Sequence, residues 1–122
     1  MELNMDLFRN LLPYYEKNCI NGQVIGPDIN LGNYSIDEIC YHVELMVDED
    51  LIKATDVSAG SDHYKVYLVK RLTYKGHEFL SALKNDTVWN KVKDTSKELG
   101  VEVIKSIIPT LISYVKVQLG LP

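Results

Sequence analysis

The chain has 122 residues, 46% of them hydrophobic and 25% charged, which is one domain's worth of foldable chain and excludes wholesale disorder. Its two cysteines, Cys19 and Cys40, match no metal or redox spacing and read as free thiols of a reducing, cytoplasmic compartment. The net charge of −4 hides a division: residues 1–62 carry twelve acids and three bases, net −9, whereas residues 63–122 carry five acids and ten bases, net +5.

The acidic start, Met1 to Asp6, lacks the basic and apolar run of a signal peptide. Leu3, Leu7, Phe8, Leu11 and Tyr15 then recur at helical spacing and predict a first helix from about Glu2 to Lys17. Pro13 removes a backbone hydrogen bond inside that helix, so a kink or an early end is expected there. Asn21-Gly22, Gly26-Pro27 and Gly32-Asn33 mark a long irregular connection, in which Gln23-Val24-Ile25 is a short strand candidate.

Ser35-Ile36-Asp37-Glu38 is a capping box, the serine hydroxyl accepting from a free N–H while the glutamate reaches back. Ile36, Ile39, Cys40, Val43, Met46 and Val47 then predict the inward face of a helix ending near Asp48-Glu49-Asp50. Leu51 to Val57 and Tyr64 to Leu72 read as two strands joined by the turn Ala59-Gly60-Ser61-Asp62, a β-hairpin. Strict alternation puts Tyr64, Val66, Leu68, Lys70 and Leu72 on one face of the second strand. It puts Lys65, Tyr67, Val69 and Arg71 on the other, so the bases are split between faces.

Thr73 is an N-cap for a further helix with Phe79, Leu80 and Leu83 inward, and Asn85-Asp86-Thr87 breaks or re-caps it. Val88, Trp89, Val92 and Leu99 continue an apolar stripe. A last helix after Gly100 carries Ile104, Ile107, Ile108, Leu111, Ile112 and Val115, with Pro109 kinking it. Glu102, Lys105, Pro109 and Lys116 interrupt this most apolar stretch, so no membrane span is expected.

Helix, short strand, helix, hairpin and helix is the order of an α+β winged helix-turn-helix-like domain, with the hairpin as wing. It places that domain in residues 1–84 and a C-terminal helical extension, packed on the same core, in residues 85–122. One helix of that plan is reduced to the loop around Pro27–Asn33.

Three stretches resemble a family of uncharacterised winged-helix-like proteins, a domain of unknown function, in Gram-positive bacteria and their prophages. They are Met1-Glu2-Leu3-Asn4-Met5-Asp6-Leu7, then Ile39-Cys40-Tyr41-His42-Val43-Glu44-Leu45-Met46 with Leu51-Ile52, and Leu72-Thr73-Tyr74-Lys75-Gly76-His77-Glu78-Phe79-Leu80 with Asp86-Thr87-Val88-Trp89. The resemblance implies a winged-helix-like fold and a phage-associated origin, and carries over no catalytic or binding residue. Pro13 departs from its helix. Leu72-Thr73-x-x-Gly76 also resembles the wing-to-helix junction of small bacterial regulators.

No catalytic constellation, cofactor motif or metal spacing stands out. His42, His63 and His77 are isolated, and adjacent positions such as His77 and Glu78 point in different directions on a helix. The chain therefore reads as non-enzymatic. DNA contact, if made, would run through Lys65, Lys70, Arg71 and Lys75 on the wing and its exit. The outward face of the helix over residues 38–49, with Glu38, Tyr41, His42, Leu45, Asp48 and Glu49, lacks the Arg, Lys, Asn and Gln of base readers and repels phosphate. Glu38, Tyr41, His42 and Leu45 are instead a candidate protein-contact patch. In this alternative the chain modulates a host enzyme or defence system by acidic mimicry of nucleic acid. Ile104, Ile108, Leu111 and Val115 either complete the monomer core or join two copies in a homodimer.

Overall fold

A computed structural model describes residues 3–20 and 22–90 of the chain, and the expectations for Val92, Leu99, Ile104, Ile107, Ile108, Pro109, Leu111, Ile112 and Val115 lie outside the described residues. The first helix, α1 (Met5–Asn18), starts where Asn4 leaves extended backbone and its side-chain oxygen accepts the N–H groups of Asp6 and Leu7 at 3.0 and 3.3 Å. Leu7, Phe8, Leu11, Leu12 and Tyr15 are all buried, so one face of α1 enters the core. Pro13 does not end the helix as its chemistry suggests. It lies within α1, whose buried residues on both sides of it hold the backbone helical despite the lost hydrogen bond.

Among the described residues no helix lies between Asn18 and Ile36, as the glycines and prolines of that connection lead one to expect. The strand expected at Gln23-Val24-Ile25 shrinks to one bridge, where Ile25 and Val69 exchange N–H···O bonds of 2.9 and 2.8 Å. The second helix, α2 (Ile36–Asp48), has its capping box in place: Glu38 N–H donates to Ser35 Oγ at 3.1 Å, and Ser35 N–H donates to Glu38 Oε1 at 3.2 Å. At its other end Asp50 takes the left-handed conformation with φ of 58°. That lets Asp50 N–H reach the Val47 carbonyl and Leu51 N–H reach the Met46 carbonyl, closing the last turn.

The hairpin comprises β1 (Ile52–Asp56) and β2 (Tyr67–Leu72), paired antiparallel. Its loop is stitched by side chains, with Ser58 N–H on Asp56 Oδ1, Ala59 N–H on Asp62 Oδ2 and Val66 N–H on Ser58 Oγ. Thr73 caps the third helix, α3 (Tyr74–Lys84), by accepting the Gly76 N–H at 2.9 Å. The same hydroxyl donates to the Asp50 carbonyl at 2.6 Å, and Thr73 N–H donates to the Leu51 carbonyl at 3.0 Å. The start of α3 is thus welded to the α2–β1 corner, and Gly76 is the residue that permits it. A Cβ at Gly76 would fall on the Leu51 carbonyl oxygen.

Asn85 then caps a helical stretch at residues 86–90, its side chain accepting the Val88 N–H at 3.2 Å. The core gathers Phe8, Leu11 and Tyr15 of α1 with Ile39, Val43 and Met46 of α2. Leu51 of the α2–β1 corner, Val69 and Leu72 of the hairpin and Phe79, Leu80 and Leu83 of α3 close it, and Val88 and Trp89 join the same cluster. Arg9 of α1 lies 4.6 Å over the Trp89 ring and 3.8 Å from Asp86. The result is a mixed α+β arrangement of helices around a two-stranded hairpin. No helix of the described residues is long and apolar enough to cross a membrane.

Candidate functional site

The basic side chains expected on the wing are arranged by an irregularity that strict alternation misses. Lys53 pairs with Arg71 and Ala54 pairs with Val69, so Lys70 is an extra residue in β2, a β-bulge. Tyr67, Val69 and Leu72 consequently share the core face, while Lys70 and Arg71 are both exposed. The expectation that the hairpin splits these bases between faces is therefore corrected. The buried spacing Tyr67, Val69, Leu72 carries the mark of the bulge, because a step of three from Val69 to Leu72 replaces one step of two.

Around that bulge the chain turns from strand to helix within a few residues. Arg71 folds back so that Nη1 donates to the Leu72 carbonyl at 3.0 Å. Lys75 follows in the first turn of α3, and Lys53 lies opposite Arg71, 3.8 Å from Asp50 in an exposed pair. Lys65 does not join the group. It precedes β2 at the far end of the hairpin, near Asp56, roughly 15 Å from the bulge at 3.3 Å per residue. Asp56 itself stays ionised to lower pH than usual, because Ser58 hydrogen-bonds its carboxylate. Tyr74, a residue with no charge or motif to mark it in the sequence, lies between Arg71 and Lys75 along the chain and is 78% exposed.

The face proposed for a protein partner is rearranged more deeply. His42, expected to point outward, is completely buried. Its Nδ1 donates to the Glu38 carbonyl and its Nε2 accepts the Asn4 N–H, both at 2.8 Å, and its ring meets Phe8 edge-on at 5.3 Å. The reason is the packing of α1, whose N-terminus lies over this side of α2 and supplies the donor. Burial lowers the His42 pKa below its usual value, and the two hydrogen bonds fit only the neutral ring protonated on Nδ1. Ile36, expected inward, is exposed instead. Tyr41 and Leu45 remain half-buried, with Tyr41 set edge-on to Tyr64 at 6.1 Å, and Glu38 is committed to the capping box.

The nucleophile and base candidates do not converge among the described residues. Burial raises the pKa of both Cys19 and Cys40, which favours the protonated thiol, and Cys19 Sγ lies 3.6 Å from the Val69 carbonyl. The buried Tyr15 hydroxyl is pushed up by desolvation and then by the neighbouring cysteines, which favours its protonated form. His77 is exposed and meets Glu16 of α1 at 3.3 Å, with Lys84 on the same carboxylate at 3.9 Å. No group of three metal-ligating side chains gathers among the described residues. An open groove of about 590 Å³ runs along α1 between Asn10, Pro13, Tyr14, Lys17 and Leu31, and offers amides and one lysine.

Comparison with known proteins adds a family but no chemistry. The model of the family described as hypothetical protein, DUF2513, matches residues 2–102. An uncharacterized protein of Haemophilus influenzae is 33% identical over 117 residues, spanning 93% of this chain and 97% of the relative. No solved structure matches the chain.

Proposed function

This chain belongs to the DUF2513 family of hypothetical proteins, and we propose that it is a non-enzymatic winged-helix binding module that contacts nucleic acid through phosphates at the exit of its hairpin. The observation that carries the reading is the bulge at Lys70, which leaves Lys70 and Arg71 both exposed, with half-exposed Lys75 following in the first turn of α3. Phosphate contacts need cations at one surface rather than base readers in a groove-filling helix. The outer side of α2, bearing Asp37, Glu44 and Asp48, repels phosphate, so the hairpin leads and α2 stays clear. The protonated thiols of half-buried Cys19 and buried Cys40 and the structurally committed His42 fit a role without a catalytic step.

The alternative of a protein partner at Tyr41 and Leu45 loses His42 to the core and has Tyr41 engaged with Tyr64, so the hairpin exit is the better supported surface. The test is a duplex-binding titration across salt concentration. Lys70→Ala with Arg71→Ala should weaken binding and reduce the slope of log affinity against log salt by about two, one for each lost phosphate contact. Unchanged affinity and slope would sink the proposal.

A further inference from the structure

We infer that the hairpin exit is a stacking platform for single-stranded nucleic acid, with Tyr74 receiving an unpaired base between the phosphate contacts of Arg71 and Lys75. The inference rests on the reading above that this surface meets phosphates, and it goes on to name the form of nucleic acid that fits. Among the described residues Tyr74 is the most exposed of the large apolar side chains that face solvent, at 78%, against 52% for Ile20 and 53% for Ile36. Its ring has no aromatic neighbour among the described residues, and its hydroxyl has no hydrogen bond there. Elsewhere the described tyrosine rings are spent on the fold: Tyr14 and Tyr15 meet edge-on, Tyr34 packs against the core, Tyr41 packs on Tyr64, and Tyr67 is buried.

An exposed aromatic face set among cations is what an unstacked base requires. Each base has a π-face, and its phosphates follow the groove of positive charge at a spacing of one nucleotide. Tyr74 is the first residue of α3, so the cap at Thr73 and the anchored Gly76 hold its backbone rigidly. Lys70 and Arg71 precede it on the strand and Lys75 follows it, placing charge on both sides of the ring along the chain. A duplex hides its base faces in the stack and would meet the cations alone. The same side chains therefore predict a preference for single strands over duplex, without base-specific readout.

The experiment measures fluorescence anisotropy of a labelled oligothymidylate of about 15 nucleotides and of a duplex of similar length, at low ionic strength, with the full chain. The oligothymidylate should bind more tightly than the duplex. Tyr74→Ala should weaken single-strand binding roughly 5- to 100-fold, the range for loss of one stacked base, and leave duplex binding unchanged. Tyr74→Phe should keep it. Lys70→Gln with Arg71→Gln should weaken both ligands. If Tyr74→Ala leaves single-strand binding intact while the charge variant lowers it, the stacking inference falls and the phosphate reading stands. If the charge variant changes neither ligand, both fall. Vesicles rich in phosphatidylglycerol are the control for a generic polyanion surface. Tyr74-dependent binding to them with none to oligothymidylate overturns the inference as well.

Discussion

Replacing His42 by Phe tests the contact that ties the start of α1 to α2. Phe keeps a ring of similar size against Phe8 and Tyr41, so the cavity contribution is small and the change isolates the hydrogen bonds. The Asn4 N–H, 2.8 Å from Nε2, then loses its acceptor at the site where α1 meets α2. The bond is part-buried, so leaving this donor unsatisfied should cost about 1 kcal/mol, the lower end of the range for buried donors and still a noticeable share of the stability of a domain this size. The sole tryptophan, Trp89, is buried in the shared core and reports urea unfolding directly.

The pH dependence sharpens the test. Burial lowers the folded-state pKa of His42 below its ordinary 6.5, which the unfolded chain keeps. Above about 6.5 both states hold a neutral ring and the native contact stabilises in full. As pH falls below that value the unfolded chain takes up a proton that the native site refuses. Stability should then drop by up to about 1.4 kcal/mol per pH unit until the folded pKa is reached. His63 and His77 are exposed and present in both proteins, so the difference between the wild-type and His42→Phe curves isolates His42. Parallel curves between pH 7 and pH 5 would refute the assignment of a neutral, doubly bonded His42.

Two further substitutions probe the corner where α2, β1 and α3 meet. Gly76→Ala gains about 1 kcal/mol of intrinsic helix propensity, yet the protein should lose more than about 2 kcal/mol, because the new methyl group collides with the Leu51 carbonyl. A net gain in urea midpoint would show that the corner yields. Asp50→Gly should stabilise by about 0.5–1 kcal/mol, since glycine takes φ of 58° without a Cβ penalty and the exposed ion pair with Lys53 contributes little. A measured loss would mean that the Asp50 side chain does more than tolerate its backbone.

Local chemistry was legible before the fold was known wherever the deciding atoms lie within a few residues of one another. The capping box at Ser35 and Glu38, the cap at Thr73, the break at Asn85 and the inward positions Val43, Met46, Phe79, Leu80 and Leu83 all follow from spacing and side-chain reach. The irregular connection without a helix, and the hairpin itself, were announced by glycine, proline and β-branched composition. Strict alternation fails in β2, where the three-residue step from Val69 to Leu72 marks the bulge.

What the sequence could not carry is contact across long separations. Nothing in residues 38–49 says that the N-terminus of α1 will cover His42, because its partner at Asn4 lies 38 residues away and binds through a backbone N–H common to nearly every residue. Pro13 likewise stays helical because burial of its neighbours outweighs a local cost. Local chemistry thus determined the caps and breaks at Ser35, Thr73 and Asn85, and composition alone carries the excess of bases that follows the hairpin turn. Tertiary packing decided which polar groups were spent inside. It buried the histidine that looked exposed, and through one extra residue in β2 it gathered Lys70 and Arg71 on the open side of the hairpin, next to a tyrosine that nothing in the described core covers.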